Sequence, residues 1–175
     1  AGESGAAGAG GSTPVTGCKL VVNEVCNAGC SSGSTASGDE FVEIFNAGTA
    51  DCSLDGVQIQ YRSAGDSPGQ VLFPAPNGAN VPKDAILASG AYLLLHASAY
   101  KGPLPVAPSW SYKFGIGTAS GALSADGGAI GIIPKGGTVN NPSDAMAWLK
   151  LEKGDKFAEG TPAASIGEGK SSSRF

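Results

Sequence analysis

The sequence predicts an all-β domain, a sandwich or small barrel of about seven to nine short strands. Three observations predict it. Apolar runs are short, and clusters of Gly, Pro, Asn, Asp and Ser separate them. Gly is very frequent at 28 of 175 residues, with 11 Pro. No stretch sustains a 3.6-residue period, and the sequence has few charges. Charged residues are 15% of the chain, against roughly 25% in ordinary soluble domains. Hydrophobic residues, at 41%, suffice for one core.

The elements follow in order. Residues 1–17, "AGESGAAGAGGSTPVTG", are Gly, Ala and Ser with one charge, Glu3. Such a segment buries too little apolar surface to offset its ordering entropy, so it reads as a flexible linker ahead of a domain over 18–175. "CKLVVNEVC" (18–26) and "EFVEIFN" (40–46) are β-rich. "VQIQYR" (57–62) alternates, with Val57, Ile59 and Tyr61 inward and Gln58, Gln60 and Arg62 outward. "QVLFP" (70–74) is short, and "AYLLLHA" (91–97) is apolar on both parities and hence more buried. "AIGIIP" (129–134) and "DAMAWLKL" (144–151) complete the strands. The Pro- and Gly-rich stretch 101–121 reads as a long surface connection pinned by Trp110, Tyr112 and Phe114.

The four cysteines, Cys18, Cys26, Cys30 and Cys52, fall in the first third. Their even number favours disulfides, Cys26–Cys30 and Cys18–Cys52 among three pairings. A four-thiolate zinc site would need two short Cys pairs, and only one exists. The chain starts at Ala1 rather than Met, from which a removed leader is expected. The expected location is therefore extracellular or at the cell surface, either secreted or lipid-anchored with 1–17 as the spacer. No apolar run reaches the roughly 18–20 residues that span a bilayer. With a net charge of −4 and only two Arg, Arg62 and Arg174, nucleic acid is not an expected partner.

"GDEFVEIFNAG" (38–48) raises the question of paired catalytic carboxylates. Strand alternation puts Phe41, Glu43 and Phe45 on one face and Glu40, Val42 and Ile44 on the other. Glu40 and Glu43 therefore cannot form an acid/base pair. If the Phe face is the core, Glu43 is a buried carboxylate; Glu24, sharing a face with Leu20 and Val22, meets the same problem. Arginine is the best carboxylate partner. A structural ion pair of Glu43 or Glu24 with Arg174 in "SSSRF" is expected.

"LVVNEVCNAG" (20–29) resembles the I-N-E-V opening of bacterial lamin tail domains. "DEFVEIFNAGTADCSLDGVQIQ" (39–60) is similar to their next segment, with Leu54, Asp55 and Gly56 in the L-x-G-W motif and Val57 replacing the Trp. "VLFPAPNGANVPKDAILASGAYLLLHAS" (71–98) resembles the Phe-Pro strand and the L-x-x-G-x-Y-L-x-L strand. "DAMAWLKLEKGDKFAEGTPA" (144–163) resembles the D-x-x-x-W strand and the E-G segment, and "GKSSSRF" the closing S-x-x-R. Bacterial members usually continue into an Asp- and Asn-rich segment. This chain stops at Phe175, so a fragment or processed product is expected. The resemblance implies an immunoglobulin-like β-sandwich and an accessory module on secreted or surface proteins, with no catalytic residues to carry over.

Residue chemistry points the same way. The single His, His96, ends an apolar strand, and no G-x-S-x-G elbow accompanies it. "GIGTASG" (115–121) lacks phosphate-loop spacing. No cofactor is expected; calcium is the one metal alternative, with Asp39, Glu40, Asp51 and Asp55 as oxygen ligands near one end of the sandwich. The expected function is a non-catalytic module that binds a protein or a cell-surface component, with Trp110, Tyr112 and Phe114 as the candidate patch. Two alternatives stand beside it: an accessory domain of a secreted metal-dependent hydrolase (nuclease or phosphatase), and a self-assembling surface subunit.

Overall fold

A computed structural model describes residues 16–27, 30, 38–64, 70–74, 85–114, 123–124, 126–149, 157, 162–163 and 171–173. Among these residues there are eleven strands and no helix. A five-stranded sheet runs in the order β11 (Ser172–Ser173), β1 (Leu20–Cys26), β2 (Phe41–Asn46), β7 (Tyr92–His96), β8 (Trp110–Lys113). A four-stranded sheet runs β10 (Asp144–Leu149), β9 (Gly127–Ile133), β4 (Gln58–Ser63), β5 (Gln70–Phe73). The two-residue strands β3 (Cys52–Ser53) and β6 (Ile86–Leu87) pair separately. Every pairing is antiparallel except β7 with β8.

Alternation builds the core. Val42 and Ile44 of β2, Leu93 and Leu95 of β7, Ile59 and Tyr61 of β4, and Ile130 and Ile132 of β9 are buried in one cluster with Trp148. The inward set read from "VQIQYR" is the observed one. Gln60, expected outward, is buried nonetheless. Gln60 pairs with Gly131 of β9, where a Cβ would meet the ring of Phe157 at 2.7 Å, and Phe157 belongs to a second buried cluster with Ala129, Ile133, Ala145 and Ala147. Gly128 permits the stack of Tyr61 on Trp148 (centroids 6.0 Å apart), because a Cβ there would come within 2.8 Å of both rings.

β1 departs from alternation. Its register against β2 pairs Val22 with Ile44, then Glu24 with Glu43 and Val25 with Val42, so Asn23 is an extra residue. This bulge returns Val25 to the core beside Val22, while Asn23 and Glu24 are both half-exposed. Glu24 therefore does not share the core-facing side of Leu20 and Val22. β11 covers β1 only at Glu24 and Val25. The N–H of Val22 instead donates to Oδ2 of buried Asp144, 2.7 Å away at the start of β10. That bond ties one long side of the sandwich. Phe73 of β5 packs edge-on against Tyr112 of β8 at 5.3 Å and ties the other.

The end of β2 is held by Asn46, which is fully buried. Its Nδ2 donates to the carbonyls of Ala50 and Leu87, and its Oδ1 accepts from Gly48 N and Lys19 N. Gly48 lies so close to the entering chain that a Cβ would fall 2.6 Å from the nitrogen of Lys19. Disulfides join Cys18 to Cys52, with Cα atoms 5.0 Å apart, and Cys26 to Cys30.

Two outcomes are expected. Asp144→Ala strips the acceptor from a buried N–H and lowers stability in urea unfolding by about 2 kcal/mol, whereas Asp144→Asn, which keeps an oxygen, costs less than half of that. Replacing Cys18 and Cys52 with Ser releases a loop of 34 residues. Calorimetry should then record a Tm lower by roughly 10 °C, from ~3–4 kcal/mol of lost chain constraint.

Candidate interaction surface

With Val42 and Ile44 inward, Phe41, Glu43 and Phe45 lie on the outer face of the five-stranded sheet, each half-exposed. The Phe face is thus not the core, and Glu43 is not a core carboxylate. On the same face Phe45 stacks on Tyr92 of β7 at 4.7 Å. Phe41 meets the ring of Tyr100 edge-on at 5.7 Å. Tyr100 lies on the connection from β7 to β8, which forms with Leu94, Glu24 and Glu43 a groove of about 320 Å³. Pro103, Leu104 and Pro105 form its rim. Leu104 and Val106 on this connection are 54% and 80% exposed.

The electrostatics of the face centre on two acids. Glu24 and Glu43 stand directly opposite each other across β1 and β2. Asn23 Nδ2 donates to Glu43 Oε1 at 2.6 Å. Burial is the main force raising the pKa of Glu43 above the usual carboxylate value; the Asn23 bond opposes it and the charge of Glu24 adds to it. The Tyr100 hydroxyl is also raised, first by burial and then by the charges of Glu24 and Glu43. Arg174, the expected partner of these acids, lies outside the described residues, as do residues 115–121. The last described position on that side, Ser173, stands opposite Glu24.

Of the aromatic patch expected at Trp110, Tyr112 and Phe114, two members are drawn inward. Phe114 is 3% exposed in the core, and Tyr112 is half-buried against Phe73. Their segment is not a free connection either, since residues 110–113 form β8, in parallel register with β7. For Trp110 only the backbone is described. Of the residues 1–17 read as a linker, those before 16 lie outside the description.

The four candidate calcium ligands are not near one end of the sandwich. Asp39 and Glu40 precede β2 and Asp51 and Asp55 follow it, so a six-residue strand, about 20 Å long, stands between the pairs. Asp39 and Glu40 are 0% and 2% exposed, and the Glu40 carbonyl accepts from Ala97 N. Asp51 accepts from Ser89 N, and Asp55 pairs with Lys135 at 2.6 Å. Among the described residues, no three His, Cys, Asp or Glu side chains gather as a metal site would. His96 Nδ1 lies 3.0 Å from the Ala97 carbonyl and therefore carries the proton there, and its ring leans on Tyr100 at 5.4 Å.

The groove had no signal in strand alternation alone. It depends on the Asn23 bulge, which turns Glu24 toward Glu43, and on a connection that lies back over Leu94. The one hint was "LLL" at 93–95, whose middle residue needs a cover on the outer face.

A pH dependence follows from Glu43. A carboxyl whose folded pKa is raised favours the protonated native state, so its contribution is greatest below the ordinary value of 4.5 and is lost as pH rises through the folded value. At neutral pH Glu43 costs stability. Glu43→Gln, which keeps the acceptor for Asn23, should raise Tm by about 1–3 °C at neutral pH. The difference should vanish in scans well below 4.5.

The family model described as Lamin Tail Domain matches residues 13–159. A comparison with curated proteins finds no match. Over most of its length, and in its two packed sheets of short strands, the chain belongs to the lamin tail domain family, whose fold is immunoglobulin-like.

Proposed function

We propose that this domain is a non-catalytic module that binds a protein, and that it works outside the cell or at the cell surface. The observation that carries the reading is the outer face of the five-stranded sheet. It combines two aromatic pairs, Phe45–Tyr92 and Phe41–Tyr100, with the exposed Leu104 and Val106 beside an open groove. Exposed apolar side chains next to half-buried rings form the kind of patch on which protein contacts concentrate. An extracellular setting is supported by the two disulfides, which persist in oxidising compartments. Among the described residues, no helix is long and apolar enough to cross a membrane. The local bond of His96 and the separation of the acids favour binding over hydrolysis.

Self-assembly is the second reading, favoured by the same exposed residues. One pair of substitutions addresses both. Leu104→Asp with Val106→Asp should leave Tm within a degree or two, as changes at exposed sites do. Crosslinking on the producing cells should then lose the partner that the parent protein retains. Light scattering on the parent protein separates a foreign partner (monomer in solution) from a second copy (dimer that the substitutions dissociate). Crosslinking that is unchanged by the substitutions contradicts the reading.

A further inference from the structure

We propose that the groove bounded by Glu24, Glu43, Phe41 and Tyr100 recognises one basic side chain, Lys or Arg, on an extended segment of the partner protein. The inference rests on the protein-binding reading above and adds the chemistry of what is bound. Charge complementarity selects the occupant. Two carboxylates directly opposed across neighbouring strands repel each other, and here they do so in a half-buried groove where water screens them less. Among the described residues, no Lys or Arg pairs with either of them; the polar contact at Glu43 is the neutral amide of Asn23. A cation between them replaces that repulsion with two attractions.

The walls suit the rest of such a side chain. The rings of Phe41 and Tyr100 offer aromatic surface to a cation. Pro103 and Pro105 give a stiff apolar rim for the aliphatic stem of Lys or Arg. At about 320 Å³ the groove holds one long side chain and little more. Leu104 and Val106, exposed on the same connection, meet the residues on either side of the cation. The occupant is thus a basic residue with apolar neighbours, in a segment free to lie along the sheet face.

Blocked five-residue peptides serve as probes, with Lys at the centre of Ala and Leu, and norleucine or Glu in its place. They are titrated into the ¹⁵N-labelled full chain at low salt. The Lys peptide should shift the amides of Glu24, Glu43 and Tyr100 in a saturable way, and the norleucine and Glu peptides should bind at least tenfold more weakly. Glu24→Gln with Glu43→Gln should weaken the Lys peptide at least tenfold while Tm holds or rises, which shows that the fold survives. Equal binding of the norleucine peptide overturns the proposal but leaves a protein-binding face in place. Binding unchanged in the double Gln variant, or no saturable shift at millimolar peptide, overturns it too. Binding that appears only after Arg174→Ala means that the chain fills its own groove, and binding of phosphatidylcholine vesicles instead of peptide means a lipid cation; either result overturns the assignment to a protein partner. Loss of the cellular partner on Leu104→Asp with Val106→Asp stands or falls independently of these outcomes.

Discussion

The hydrogen bond from Val22 N to Asp144 Oδ2 is the constraint on which the two faces of the main sheet depend. A bulge always leaves ladder groups without strand partners. Beside the bulge at Asn23, β11 does not reach Val22, and the N–H of that residue finds a carboxylate on the opposite sheet instead. In return β1 gains a change of phase. Val22 and Val25, three residues apart, both reach the core, and Glu24 turns outward to face Glu43. Asp144 thus joins the sheets beside the bulge that brings Glu24 to the outer face. Its place on β10, four residues before Trp148, sets the bond on the strand that carries the largest fully buried side chain of the core.

The outer face is then a consequence of the core. With Val42, Ile44, Leu93 and Leu95 committed inward, the alternate positions Phe41, Glu43, Phe45 and Leu94 are left outside. These are not ordinary solvent-facing residues. The connection after β7 covers them in part, which buries Leu94 and leaves Glu43 half-covered. A face that is both partly dry and acidic keeps a cost that the isolated domain does not relieve. Interaction modules carry such local costs where a partner relieves them, which links the strand phase of β1 to the proposed recognition chemistry.

Much of the fold was legible because period-2 patterning is local. Val57, Ile59 and Tyr61 read inward from six residues of sequence, and they are inward. The even number of cysteines favoured disulfides, and of the three pairings the preferred one is found. What failed was non-local. The phase of Glu24 depends on an acceptor 120 residues further along, counted from Glu24 to Asp144. Asp39 and Glu40 look like turn acids, yet the backbone on either side of Asp39 bonds to residues 97 and 99 and both acids are buried. Tyr112 and Phe114 look like an exposed patch because the parallel pairing that draws them inward has no signature in their own segment.

Amide hydrogen exchange at Val22 tests the central constraint most directly. If the bond to Asp144 holds the bulge, the Val22 amide exchanges as slowly as those of the core strands β2 and β7, and Asp144→Ala accelerates it selectively while the Ile44 amide keeps its protection. A Val22 amide that exchanges in the parent protein as fast as those in the exposed turn at Lys135–Gly136 would contradict the account.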